Sequence, residues 1–257
     1  MTNATQSVRR AAAILKAFGP ERRTLGVTQL AATVGLHKST AHRLASTLEG
    51  EGLLKQDLET GRYSLGDVLH RIASSFVEGD PLLRHGRPVL RTLSQSVGHT
   101  VSLAVLDQDE ALFIMVIEGT LPIRATVARS GERLPLTVTA AGKVLLADLP
   151  RRDLTAILKR RGLRRLTPKS LTSRHALELE LRRVKREGIG WSREECAVGL
   201  LSLAVPVRIG RTVAALSIAC PTNLVKSSHT VSDLIRSLRD AAARLVAALE
   251  GAGEVRA

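Results

Sequence analysis

The stretch at residues 25–66, LGVTQLAATVGLHKSTAHRLASTLEGEGLLKQDLETGRYSLG, decides the fold of the first part of this chain. It reads as two short helices, a tight turn and a β-hairpin, the layout of a winged helix-turn-helix. Thr28 is a good N-cap residue; Leu30, Ala31 and Val34 follow at helical spacing, and Gly35 suits the left-handed conformation that ends a helix. Leu36 restarts the chain in a new direction. In the next segment Ala41, Leu44, Ala45 and Leu48 share one stripe, while Lys38, Ser39, Thr40, His42, Arg43 and Ser46 fall elsewhere and early in the helix. Such a helix buries one face and offers a polar, cationic N-terminal end to a DNA groove. Past Gly50 and Gly52, residues 53–57 and 62–65 alternate as a short hairpin around Glu59, Thr60 and Gly61, the wing.

Working outward, residues 7–18 carry Val8, Ala11, Ala12, Ile14, Leu15 and Phe18 at helical spacing and stop at Gly19-Pro20, which predicts a third helix packed under the other two. Residues 66–76 resume helical spacing through Val68, Leu69, Ile72, Ala73 and Phe76 and break at Gly79-Asp80-Pro81, a linker helix ending at a domain boundary. Beyond it the pattern becomes helix, strands, helices, strands, helix. Residues 82–97 form an amphipathic helix, 100–106 and 112–117 apolar strands around a polar turn at 107–110, and 124–127 a third strand candidate. TAAGKVLLADL is a helix capped by Thr139, followed by helices at 151–160 and 175–187, strands at 201–207 and 212–219 joined at 209–211, and a closing helix at 231–249. This order predicts an α+β domain with an antiparallel central sheet.

With 257 residues, 44% of them hydrophobic, the chain holds one large or two ordinary domains with real cores. No stretch approaches the roughly 20 uninterrupted apolar residues of a membrane span, and the first residues lack the pattern of a secretory leader, so the expected location is the cytoplasm, with no membrane partner. Cys196 and Cys220 lie near no other residue with metal-ligand spacing, which points to buried free thiols rather than a zinc site or a disulfide. The net charge of +14 suggests a polyanionic partner, and its distribution matters. Residues 1–48 hold seven Lys or Arg against one Glu, bracketing the helix-turn-helix as a phosphate-facing surface would. Residues 151–186 hold thirteen against three acids, outside that motif, as a solvated face or a secondary contact with flanking DNA.

Six segments in order resemble the IclR family of bacterial transcriptional regulators over nearly the whole chain. SVRRAAAILKAF is similar to the family's opening helix, LAATVGLHKSTAHRLASTLEGEGLL to its helix-turn-helix, and TGRYSLG to its wing. RLPLTVTAAGKVLLA, REGIGWSREECAVGLLSLAVPV and AALSIACP are similar to three signatures of its effector domain. The resemblance implies a winged helix-turn-helix joined by a linker helix to a GAF-like or profilin-like effector-binding domain. It implies binding to palindromic operators in double-stranded DNA as a homodimer or a tetramer built as a dimer of dimers. The divisions expected are 4–66 for DNA binding, 67–80 for the linker helix and 81–252 for effector binding and oligomerisation.

At the DNA end, Lys38, Ser39, Thr40, His42 and Arg43 occupy the half of the recognition helix that reaches base edges, with Arg43 and His42 foremost. Ser39 and Thr40 could instead cap the helix or hold a phosphate. Thr28 belongs to the same surface, and Arg9, Arg10 and Arg62 are candidate phosphate contacts. At the sensor end, the helix start at Thr139, Ala140, Ala141 and Gly142 presents free N–H groups suited to a carboxylate. The resemblance carries pocket positions over to Leu134, Ala140, Ala141, Ser192, Ser202, Ser217 and Ala219. Where some family pockets have an acidic residue this chain has Ser192, where some have a cysteine it has Ser202, and Ala219 replaces a hydroxyl residue. A less acidic pocket favours a small organic acid with a sizeable apolar part, aromatic or branched. Neither a catalytic constellation nor a cofactor motif is expected: G-x-S-x-G, H-E-x-x-H, a phosphate loop and G-x-G-x-x-G are all missing, and Gly142-Lys143 only resembles the end of a phosphate loop. An effector-independent regulator whose second domain only oligomerises is the rival reading, and a small-molecule enzyme a remoter one.

Overall fold

The structure, a computed structural model, describes residues 5–252 except 20, 123, 124, 126, 127, 211 and 226. The described chain divides into two compact units, Met1–Gly79 and Asp80–Ala257.

In the first unit, α1 (Gln6–Lys16), α2 (Val27–Val34) and α3 (Lys38–Gly50) pack around Ile14, Leu30, Ala45 and Leu48. The hairpin β1 (Leu54–Gln56) and β2 (Tyr63–Leu65) adds Leu54 and Tyr63 to the same core. Gly35 ends α2 at φ 65°, as its sequence position predicts. Thr28, however, is not the cap. The helix begins two residues earlier than a Thr28 cap would start it, and Gly26 occupies the N-cap, its N–H donating to Gln29 Oε1 at 3.0 Å, so that a longer side chain three residues on replaces the short hydroxyl expected. The wing turn is held by Asp57 Oδ1, which accepts from Thr60 N at 2.8 Å, Thr60 Oγ1 at 3.0 Å and Glu59 N at 3.0 Å. These bonds favour the ionised form and hold the Asp57 carboxyl below the usual range. Leu25 and Tyr63 exchange two backbone bonds of 2.9 Å, adding a strand-like rung to the hairpin that the sequence did not signal. The linker helix α4 (Asp67–Gly79) buries none of its residues within the unit; Ile72 and Phe76 are 56% and 64% exposed.

The second unit opens with α5 (Pro81–Val97), whose N-cap Asp80 accepts from Leu82 N and Leu83 N. Then follow β3 (Thr100–Asp107), β4 (Glu110–Ile117), β5 (Arg133–Leu134), α6 (Ala140–Asp148), α7 (Arg151–Arg161), α8 (Arg174–Glu187), β6 (Gly190–Arg193), β7 (Leu200–Ile209), β8 (Thr212–Pro221) and α9 (Ser228–Gly251). The strands form one six-stranded sheet, order β5-β4-β3-β8-β7-β6, every pairing antiparallel. β5 and β6 are additions to the sequence reading, too short to show an alternating pattern; the strand expected at 124–127 lies outside the described residues. The sheet has helices on both faces: α5 and α9 on one, α6 with α8 on the other. Side chains alternate accordingly. Leu103 meets α5 at Gly86, while Ala104, Ala204 and Ala215 join Ala140, Ala141, Val144 and Leu145 of α6 in one cluster.

Both cysteines are free. Cys220 is buried, which pushes its thiol up to about 12, but Cys196 is only half-buried, a correction to the expectation that both are buried.

Candidate functional site

The recognition helix α3 buries Ala41, Ala45 and Leu48 and leaves Lys38, Ser39, His42 and Arg43 exposed on its N-terminal half, with Thr40 half-buried. Neither Ser39 nor Thr40 caps the helix. His37 takes the N-cap position without a side-chain bond to the helix backbone, and its Nδ1 instead lies within hydrogen-bond distance, 2.8 Å, of Ser39 Oγ. Lys38, His42 and Arg43 form no ion pair among the described residues, so the cationic end is available to an outside anion or base edge. Arg9 is exposed on α1, Arg10 half-buried, and Thr28 exposed on the first turn of α2. Arg62 is already engaged: its Nε donates to Thr24 Oγ1 at 3.1 Å and its guanidinium to Thr24 O at 2.8 Å, fastening the wing to the segment before α2. A phosphate contact there would have to share this guanidinium.

In the second unit, sheet register does what the sequence could not display. Ser192, Ser202, Ala219 and Thr100 are direct cross-strand partners in a single row over β6, β7, β8 and β3. Two residues along, Gly190, Ala204, Ser217 and Ser102 form the next row on the same face, and this face carries α6. The approach is close: a Cβ on Gly190 would lie 2.7 Å from Ala140 O, and one on Gly142 would lie 2.3 Å from Leu136 O. Thr139 caps α6 as expected, accepting from Gly142 N at 3.0 Å, which leaves the N–H groups of Ala140 and Ala141 without intrahelical acceptors. Thr139, Ala140, Ala141, Gly142, Ser192, Ser202, Ser217 and Ala219 are all buried. Leu134 lies on the edge strand β5, paired with Ala111 and off both rows, yet it packs against the same apolar cluster as Ala140 and Ala141.

The buried hydroxyls are not equivalent. Ser192 Oγ donates to Val138 O at 2.7 Å, a purely internal bond, and Ser217 Oγ sits 2.6 Å from Ser102 Oγ. Ser202, 3% exposed, and Thr137, in the loop leading to α6, have hydroxyls without a hydrogen-bond partner among the described residues. A buried hydroxyl without a partner costs on the order of 1–3 kcal/mol, so it marks a place where a bound molecule or water would bring stabilisation.

One buried charged pair was not expected. Lys143, in the first turn of α6 and 1% exposed, lies 2.6 Å from the Glu195 carboxylate and donates to Trp191 O at 2.8 Å. Burial lowers the Lys143 pKa and raises that of Glu195, each against the pull of the other. The Glu195 carbonyl in turn accepts from Ser170 Oγ at 2.7 Å. A lysine inside the otherwise apolar AAGKVLLA was the signal available in the sequence, but its partner lies 52 residues away.

The family described as "IclR helix-turn-helix domain" matches residues 7–58, and that described as "Bacterial transcriptional regulator IclR C-terminal" matches residues 75–247. The chain is 36% identical over 226 residues to HTH-type transcriptional regulator XynR of Escherichia coli K12, covering 87% of this chain and 89% of that protein. Among solved structures, a transcriptional regulator from Rhodococcus sp. RHA1 superposes with TM-score 0.85 at 28% identity, covering 96% of this chain and 99% of that one. An IclR homologue from Microbacterium hydrocarbonoxydans, solved with 4-hydroxybenzoate, superposes with TM-score 0.84 at 26% identity, covering 95% and 99%. On both its DNA-reading and its C-terminal parts, this chain belongs to the IclR family of bacterial transcriptional regulators.

Proposed function

We propose that this protein is a cytoplasmic repressor whose binding to a palindromic operator is modulated by a small organic acid held in its second unit, and that it acts without catalysis. Residues 4–66 would read DNA, 67–80 would link, and 81–252 would bind the effector and oligomerise. The observation that carries the sensing part is Ser202: a buried hydroxyl with no partner among the described residues, on the sheet face that carries the N-terminal end of α6. The first-turn N–H groups of α6 suit a carboxylate, and Ser202 and Ser217 suit a second polar atom of the same molecule. The alanines at 140, 141, 204 and 219 leave the remaining wall apolar, which favours an aromatic or branched acid. 4-Hydroxybenzoate, held by the Microbacterium homologue, has this character and belongs in any test panel.

The apolar stripe of α4, with Ile72 and Phe76 exposed, supports a homodimer formed through the first unit. Paired recognition helices then match a palindrome. A thermal-shift screen of aromatic and branched carboxylic acids tests the sensor. An acid at a hundred times its Kd adds about 2.7 kcal/mol, or about 5–10 °C for a unit of this size. Ser202→Ala should sharply reduce that shift while leaving the unliganded melting temperature unchanged or higher, since it removes a buried hydroxyl without adding volume. No shift from any acid of the panel would favour an effector-independent regulator.

A further inference from the structure

The helices α6, α7 and α8 enclose a groove of about 290 Å³ on the second unit, separate from the face of the sheet described above. Its floor is apolar: Leu146 and Leu181 are buried, and Leu149 at the end of α6 and Leu154 in the first turn of α7 are half-buried and line it. Its rim is cationic. Arg151, Arg174, Arg182 and Lys185 all line it and are all exposed, against a single acid, Glu178.

This groove gathers three of the cations of residues 151–186 that have no ion pair among the described residues, Arg151, Arg182 and Lys185; Lys159, Arg164 and Arg165 lie off it. Seven of that segment's thirteen cations are answered locally: Arg152 by Asp153, Arg160 by Asp109, Arg161 by Glu110, Lys169 by Glu194, Arg183 and Arg186 by Glu187, and Arg174 by Glu178. Around the groove, among the described residues, Arg174 alone has an anion, Glu178 at 2.9 Å. Glu178 reports the resulting field. Its carboxyl is held below the usual range by Arg174 first, then by Arg151 and Arg182. The spacing on α8 explains the grouping, because positions 174, 178, 181, 182 and 185 recur every three or four residues and so share one face.

We infer that this groove is a docking surface for an acidic segment of another protein, one that carries apolar side chains between its carboxylates. The cations would meet the carboxylates and the leucine floor would take the apolar side chains. A second copy of this chain fits less well, since its cationic surface brings like charge to this cationic rim and the homodimer proposed above uses the apolar stripe of α4 instead. DNA also fits less well: phosphate contacts need cations alone and would leave the leucine floor unfilled.

The test uses the full-length protein and a short fluorescein-labelled peptide with Glu and Leu at helical spacing, followed by fluorescence anisotropy. Controls are the same peptide with Gln for every Glu, and a random-sequence DNA duplex. Wild type should bind the acidic peptide, more weakly as salt rises, and should not bind the Gln peptide. Arg182→Glu with Lys185→Glu should weaken peptide binding about tenfold or more. Lys159→Glu with Arg165→Glu changes net charge equally but lies off the groove, and should leave peptide binding within about twofold. Melting curves check that both variants fold; if the reversal unfolds the unit, Arg182→Ala with Lys185→Ala serves in its place. The inference is overturned if wild type ignores the acidic peptide, if the two charge reversals lose binding equally, or if the groove reversal impairs only duplex binding.

Discussion

Replacing Glu195 by Gln tests whether the second unit buries a true charge beneath its candidate sensor site. The substitution keeps shape and one acceptor oxygen, so Lys143 Nζ retains Trp191 O, 2.8 Å away, and a side-chain carbonyl. What disappears is the countercharge. Breaking a buried pair by removing one partner typically costs about 3–5 kcal/mol. The loss is capped, because the lysine can instead be buried neutral: bringing a group of ordinary pKa, about 10.4, to its neutral form at pH 7 costs about 4.6 kcal/mol. Burial already pulls Lys143 below that value, and the Gln oxygen still accepts, so the expected deficit lies near the bottom of the range, about 3 kcal/mol, or about 10 °C in melting temperature. The pH dependence fixes the cause. A lysine whose folded pKa lies below its unfolded value leaves the unfolded chain holding more protons in the window between them, so stability rises with pH there. That window widens in Glu195→Gln, and its deficit relative to wild type should therefore shrink as pH rises from 7 towards 10. The assay is thermal or urea unfolding of the second unit's transition at several pH values. A deficit below about 1 kcal/mol, or one that does not change with pH, would refute the reasoning that Lys143 is buried charged. Lys143→Met with Glu195→Gln should recover most of the loss, since no charge then remains to compensate.

Two further outcomes follow from the geometry. Arg43→Ala should weaken binding to the specific operator by about 1–3 kcal/mol and binding to random DNA far less; equal losses in a mobility-shift assay would make Arg43 a phosphate contact. Gly142→Ala places a Cβ 2.3 Å from Leu136 O and 2.5 Å from Leu136 Cα, backbone atoms that cannot step aside, so urea unfolding should report a loss of about 3 kcal/mol or an insoluble protein.

The helices and their order were legible because their signals are local. The stripe Ala41, Leu44, Ala45, Leu48 gives α3, Thr139 three residues before the backbone N–H that it caps gives the start of α6, and Gly35 ends α2. Thr28 misled because a threonine before an apolar run looks like a cap, whereas Gln29 reaching back to Gly26 leaves no pattern of small polar residues. The sensor face was legible only as a set of residue types. Ser192 and Ser202 look interchangeable in sequence, yet Ser192 is satisfied by Val138 O and Ser202 by none of the described residues, a difference set by register and by the path of the loop before α6. Arg62 likewise read as a free cation because its partner, Thr24, lies 38 residues back. The pairs Lys143–Glu195 and Arg160–Asp109 are separated by about fifty residues each, and no spacing rule reaches that far.

The row Ser192, Ser202, Ala219, Thr100 has a consequence for how a protein of this kind diversifies. Its members come from four strands and are scattered along the chain, yet they stand side by side like letters on one line. All are small, and each strand keeps its backbone ladder whatever small side chain it carries. One codon change at any of the four would therefore rewrite a single character of the wall, trading a hydroxyl for a methyl or a thiol, with the sheet undisturbed. Taste for a new metabolite could then be acquired one letter at a time while the DNA-reading end keeps its address.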